Sequence, residues 1–473
     1  MSRAGGINHF WELERHGDAS AFAQDDGRQL SYLQAARDAD LLCGHFGDGK
    51  KLVFILCEND IESNIAYLAC LRSGHVPLLL NAGIESGLLE QLCLCYRPHF
   101  IWRKAEDKKR SCVYGRYTLE PLASADQTPL HRELALLLTT SGSTGSPKLV
   151  RLSYANLDSN AAAIADYLGL SCSERAITVL PMNYTYGLSV INSHLRAGAR
   201  ILLTNTPVIQ KPFWGFFRQQ EATSLVGVPY TYAMYHRLGL FKMQLPSLRY
   251  MTQAGGKLTA DKVKEFAEWA QARGIRFYVM YGQTEATARM SYLPPELAVA
   301  KNASVGRAIP GGRFAILDAA GREISAAGVD GELVYHGPNV SLGYAECRGD
   351  LRKGDENRGV LETGDLARYD DDKFVYITGR LKRFIKIAGN RVVLDDLERL
   401  FHANGMEAFC GGRDDLLCIA VQHREDVARA KELVDGKLQF HFTMYRIIAV
   451  PEIPRNDAGK VQYQALFREV LHG

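Results

Sequence analysis

Thr139-Thr140-Ser141-Gly142-Ser143-Thr144-Gly145-Ser146-Pro147-Lys148 follows directly on the apolar run Leu134-Ala135-Leu136-Leu137-Leu138. The run is strand-length and reads as a buried strand. Two glycines let the next segment turn tightly and aim backbone N–H groups at an anion. The hydroxyls add donors, and Lys148 adds a full charge. Triphosphate is the ligand that matches, although the same composition also fits a solvated turn. The pattern is not the P-loop G-x-x-x-x-G-K-[ST]. Pro147 precedes the lysine and Leu149 follows it, so the magnesium-binding hydroxyl is missing from its place. A kinase or GTPase of that class is disfavoured.

Four further blocks stand downstream. Tyr281-Gly282-Gln283-Thr284-Glu285 follows the strand-like run Phe277 to Met280, and Glu362-Thr363-Gly364-Asp365 comes next. Then come Gly379-Arg380-Leu381-Lys382-Arg383-Phe384-Ile385-Lys386-Ile387-Ala388-Gly389-Asn390 and Pro454-Arg455-Asn456-Asp457-Ala458-Gly459-Lys460. In this order and at these separations the five blocks resemble the adenylate-forming superfamily: AMP-dependent acyl-CoA synthetases, peptide-synthetase adenylation domains and luciferase. The resemblance covers nearly the whole chain.

It implies an α/β fold: a large N-terminal domain of two β/α subdomains plus a distorted β-barrel, and a small α+β C-terminal lid domain. It also implies ATP, Mg²⁺, and CoA or phosphopantetheine as acceptor. Thr140, Ser141, Gly142, Ser143, Thr144, Gly145 and Lys148 would grip the β- and γ-phosphates. Thr284 would touch the α-phosphate, and Glu285 would ligate Mg²⁺, which prefers hard oxygen ligands. Tyr281 and Gly282 would lie against adenine, with Gly255, Gly256 and Lys257 along its other edge. Asp365 would accept hydrogen bonds from the ribose hydroxyls, and Arg380 would reach the same sugar. Lys460 would bridge carboxylate and α-phosphate. Lys382 would be the hinge about which the lid turns, and Lys386 would line the path of the thiol. Taken singly, a helix-entry acid, a turn aspartate, a core tyrosine and a surface lysine are the plainer readings of these residues.

Length and composition agree. A chain of 473 residues is too long for one simple core. The order of segments places a boundary near Gly379–Lys382, giving a core of 1–380 and a mobile lid of 381–473. Strand-like runs such as Val53 to Cys57, Ala176 to Leu180 and Arg200 to Leu203 alternate with helix-like ones such as Ile61 to Ser73 and Ala260 to Ala272. That alternation predicts parallel sheets with helices on their faces. After about Ser304 the chain becomes glycine-rich and strand-dominated. A net charge of +3 gives no reason to expect nucleic acid or an anionic membrane as partner. Ten cysteines without a C-x-x-C pair fit a reducing, cytoplasmic setting and no zinc site. No apolar run approaches the ~20 residues of a membrane span.

The expected partner is a small-molecule carboxylic acid. Pro181 to Gly187 aligns with the carboxylate-gate segment of the superfamily. Tyr184 takes the gate position, and Thr185 falls where amino-acid-activating domains carry an aspartate for the ammonium. A free α-amine would lack its counter-charge, so α-amino acids are disfavoured. Tyr186, Gly187 and Tyr230 complete the expected pocket, with Tyr232 and Met290 beside them, and suit an aromatic or modestly polar acid. The acceptor stays open: CoA, an acyl or peptidyl carrier protein, or an amine. A non-catalytic nucleotide-binding protein is a third reading, disfavoured by the retention of Lys460, Glu285 and Asp365.

Overall fold

In this computed structural model, residues 9–105, 113–139, 148–381, 383–387, 390–438, 441–455 and 459–472 are described. The expected phosphate-loop residues Thr140, Ser141, Gly142, Ser143, Thr144 and Gly145 lie outside them, as does Lys382. The chain divides into two compact units, residues 1–314 with 335–361, and residues 315–334 with 362–473. These part at other points of the chain than the 380/381 boundary expected above.

The first unit is built on two sheets. In the seven-stranded one, Leu134–Thr139, Val76–Asn81, Leu52–Cys57 and Phe100–Lys104 run in parallel order. Leu149–Ser153 pairs antiparallel beside Leu134–Thr139, and Gly343–Ala345 pairs antiparallel with that strand in turn. Every side chain of Leu52–Cys57 is buried, as expected for a strand covered on both faces. In the nine-stranded sheet, Arg276–Tyr281, Tyr250–Gln253, Ser224–Gly227, Arg175–Ile177, Arg200–Leu203 and Ser20–Gln24 lie side by side in parallel. Short antiparallel strands close both edges.

The helices start and stop where local chemistry dictates. Ile61–Ser73 begins at Asp60, whose carboxylate accepts from the Ser63 N–H at 2.9 Å. It ends at Gly74 in the left-handed region. Tyr154–Leu168 begins with a reciprocal cap between Ser153 and Asn156. The run Ala176 to Leu180, read above as one strand, is strand only over Arg175–Ile177. There the Thr178 hydroxyl donates to the Thr204 carbonyl at 3.1 Å and the ladder ends.

The second unit carries the antiparallel pairing of Val360–Tyr369 with Val375–Arg380, which sets Asp365 opposite Arg380. Beyond it are the hairpin Phe384–Ile387 with Asn390–Val393, and a three-stranded sheet of Ala408–Arg413, Leu416–Val421 and Tyr445–Ala449. Helices Leu394–Ala403, Arg424–Leu433 and Tyr463–His472 complete it as an α+β arrangement. Arg383 ties these parts together. It bonds Glu398 at 2.6 Å and the Cys410 carbonyl at 2.8 Å, and its guanidinium lies 4.0 Å from the ring centre of Tyr463.

Candidate active site

The strand Arg276–Tyr281 ends in the turn that carries the expected site. Gly282 is required there, since a Cβ would stand 1.7 Å from the Ala288 carbonyl oxygen. One helical turn, Thr284–Ala286, follows, with Thr284 buried and Glu285 half-buried. Thr287 then takes φ +67° and ψ −44°, with the Ala288 N–H donating to the Ala286 carbonyl at 2.7 Å. That is a γ-turn of the rare positive-φ kind, a strained conformation for a β-branched residue.

Three side chains hold the turn. The Thr185 hydroxyl donates to the Thr287 carbonyl. The Thr287 hydroxyl donates to the Asn339 carbonyl at 2.7 Å, and the Asn339 amide donates to the Ala286 carbonyl at 2.9 Å and the Arg289 carbonyl at 3.2 Å. Asn339 is oriented by Tyr335, whose hydroxyl donates to its amide oxygen at 2.9 Å. Asn156, the capping residue, donates to the carbonyls of Pro338 and Val340 at 2.8 and 2.7 Å.

Glu285 does not stand alone. Tyr344 donates its hydroxyl to Glu285 Oε1 at 2.7 Å, while Oε2 accepts no hydrogen bond among the described residues. Burial, followed by the Glu285 charge, pushes the Tyr344 phenol far above its usual range, so it remains a donor. Lys148 Nζ lies 3.7 Å from the Tyr344 ring centre and 3.9 Å from Glu346. Tyr344 is positioned by Arg151, wholly buried beneath it. Arg151 Nε donates to the Tyr344 carbonyl at 3.0 Å; its Nη groups reach Leu342 and Lys353 carbonyls at 2.9 and 2.6 Å and pair with Glu356.

The gate segment opens the buried helix Thr185–Ala197. Gly187 is fixed by packing, because a Cβ would meet the Pro181 carbonyl oxygen at 2.3 Å. Asn59 pins the approach, donating to the Leu180 carbonyl at 3.2 Å and accepting from the Met182 N–H at 3.1 Å. Tyr184 points at Gly255, whose φ is +80° and whose Cβ would stand 2.4 Å from the Tyr184 hydroxyl. Gln253 holds the glycine turn by donating to the Gly256 carbonyl at 2.8 Å, and Lys257 is exposed beside it. Tyr186 bonds the Thr252 hydroxyl at 2.7 Å and meets Tyr184 edge-on. Tyr230 is 50% exposed. Tyr232 is a core residue, packed on Phe266 and Phe277 with its hydroxyl on the Thr252 carbonyl. Thr185 spends its proton on the γ-turn, a structural task absent from the sequence reading.

In the second unit Asp365 is buried, accepts from Arg380 Nε at 3.2 Å, and receives its own backbone placement from the Thr363 hydroxyl. Lys386 is exposed on its strand, its N–H held by Asp414 at 2.8 Å. Lys460 is half-buried in a loop closed by an Arg455–Val461 bridge.

Sequence comparison meets this geometry at the same place. The profile of the family described as "AMP-binding enzyme" matches residues 10–345, which include Lys148, Tyr184, Gly255, the Tyr281–Glu285 turn and Tyr344. The chain belongs to the AMP-binding enzyme family. Among relatives, the luciferin 4-monooxygenase of Luciola mingrelica is 26% identical over 72% of this chain and 64% of its own length, under two thirds of that enzyme. The 2-succinylbenzoate–CoA ligase of Bacillus cytotoxicus is 26% identical over 93% of this chain and 90% of its own. The o-succinylbenzoate CoA synthetase of Bacillus subtilis, solved with an acyl-adenylate intermediate, superposes with a TM-score of 0.78 at 20% identity, covering 97% of this chain and 98% of that one. The α/β fold is thus that of the adenylate-forming superfamily.

Glu285 keeps an oxygen for a hard cation, whereas the space a side chain at Gly255 would need is taken by the Tyr184 hydroxyl and Val228. Among the described residues no cluster of three histidine, cysteine, aspartate or glutamate side chains gathers around a point, so Glu285 would share Mg²⁺ with phosphate oxygens and water. Among them also, no helix is long and apolar enough to cross a membrane. Tyr344, Asn339, Asn156, Arg151 and Asn59 shape this candidate site and were not singled out by the sequence reading.

Proposed function

We propose that the protein is an AMP-forming carboxylate–thiol ligase. A carboxylate oxygen attacks the α-phosphorus of ATP; an O–P bond forms, the bond to the β-phosphate oxygen breaks, and pyrophosphate leaves. A pantetheine thiol, that of CoA, then loses its proton to solvent and attacks the acyl carbonyl; a C–S bond forms, the C–O bond to phosphate breaks, and AMP leaves with the bonding electrons. The observation that carries the reading is the convergence of Thr284, Glu285, Tyr344 and Lys148 at the end of one strand, inside the stretch matched by the family.

Joining two anions requires their charge to be neutralised before they meet. Lys148 and the loop 140–147 serve the β- and γ-phosphates, and Thr284 serves the α-phosphate. Glu285 would hold Mg²⁺, which when bound would supply a further positive centre for the phosphate oxygens. Asp365 and Arg380 hold the ribose. Tyr184 closes over the carboxylate beside the Gly255 turn. Lys460 stabilises the charge that develops as the O–P bond forms. Residues 381–473 then turn about Lys382 and bring Lys386 to the thiol.

The test is ATP–pyrophosphate exchange with a panel of carboxylic acids, repeated with CoA for the acids that respond. Exchange followed by thioester formation is expected, and none of the common α-amino acids should support it. Exchange without a thioester would move the acceptor to a carrier protein or an amine. Nucleotide binding without exchange on any acid would overturn the enzyme reading.

A further inference from the structure

Three arginines of the first unit are buried, and they are not alike. Arg348, 6% exposed, donates to the Asp126 and Thr128 carbonyls at 2.8 and 3.0 Å, away from the turn that follows Arg276–Tyr281. Arg151 is 0% exposed and fully matched, with Glu356 for its charge and backbone carbonyls for its other donors. Arg289 is 2% exposed. Its Nη1 donates to the Tyr167 hydroxyl at 2.9 Å, its guanidinium carbon lies 5.0 Å from the ring centre of Tyr186, and its Nε has no partner. Among the described residues no carboxylate pairs with it. An arginine cannot shed its charge by losing a proton. A buried guanidinium facing only phenols, with a donor unused, is a costly arrangement that calls for an anion.

Its place says which anion. Arg289 stands four residues after Glu285 on the same turn, and its carbonyl is held by Asn160 and Asn339. It lies against Tyr186, which meets Tyr184, which touches the Gly255 turn. The guanidinium is therefore two aromatic rings away from the point where the reacting carboxylate is placed. We infer that the acid taken by this site carries a second carboxylate, and that Arg289 is its counter-ion. The inference rests on the ligase reading above. One carboxylate forms the O–P bond and releases pyrophosphate; the other stays ionised on the Nε and Nη groups, whose planar fork matches it. Arg289 thus sets specificity, and the Tyr184 ring must turn aside to admit the acid.

Exchange is measured with the full-length protein on glutarate, adipate, suberate and terephthalate, whose carboxylates are far enough apart to span the two rings, each beside its monomethyl ester. At least one diacid should exceed its half-ester in kcat/KM by on the order of 10², the loss typical of removing one partner of a buried ion pair. Arg289→Met should lower that diacid by a similar factor and leave the half-ester within about threefold, while Arg289→Lys restores part of the diacid rate. Equal use of diacids and half-esters by the unaltered protein would overturn the inference, and so would equal losses on both in Arg289→Met. If Arg289→Met does not fold, the comparison in the unaltered protein decides alone. Exchange with monoacids only overturns this inference and leaves the ligase reading standing. Exchange with no acid overturns both.

Discussion

Tyr344 serves two charges at once, giving its hydroxyl to Glu285 and its ring face to Lys148. Tyr344→Phe keeps the ring and removes the donor. A hydrogen bond to a charged group is worth about 1.5–3 kcal/mol, so kcat/KM for MgATP should fall about tenfold or more, while heat stability stays nearly unchanged. A titration of rate against ATP and Mg²⁺ checks this. Tyr344→Ala should cost more, because Lys148 loses its platform as well. Lys460 is tested by separating the half-reactions. Lys460→Ala should slow adenylate formation on the order of 10²-fold, as for lost transition-state donors. Thioester formation from supplied acyl-AMP should fall much less, and equal losses would remove Lys460 from its assigned role.

Single elements differ in how far the chain announces them. The helix Ile61–Ser73 was legible because its cap and its stop are local: Asp60 before it, Gly74 after it. The turn Tyr281–Glu285 was legible as a motif, and it does follow a strand, Arg276–Tyr281. What supports the turn was not. Asn339 and Tyr344 lie more than fifty residues downstream and reach it only because Gly343–Ala345 pairs with Leu149–Arg151, a register that no local pattern encodes. The entry to the central strands of the seven-stranded sheet offers a second case. His75 and His99 both present Nδ1 to a backbone N–H, of Lys51 and Leu52, at 3.1 Å. Each ring must be neutral to accept, and burial lowers both pKa values from 6.5 to about 4. The unfolded chain therefore takes up these protons first. Stability from this pair is complete above pH 6.5 and is lost as pH falls toward 4. Denaturant unfolding at pH 7, 6, 5 and 4 should show that decline, and a His75→Gln/His99→Gln variant should show a shallower one.

At the scale of the whole molecule, each compact unit holds part of the expected chemistry, with Glu285 and Tyr184 in one and Asp365 and Lys460 in the other. Each is locked internally by an arginine among carboxylates: Arg151 with Glu356, Arg383 with Glu398. The strain at Thr287 belongs to this scale too, since net folding stability is small and a residue in such a conformation costs on the order of 1–3 kcal/mol. Thr287→Gly accepts the same φ without that cost, yet it loses the hydroxyl on Asn339. The variant should melt at an equal or higher temperature while turning over more slowly, readable from a thermal scan beside an exchange assay. Thr287 would then mark a position where selection has traded robustness for catalytic readiness, and where a search for hardier versions of this enzyme would reliably find inactive ones.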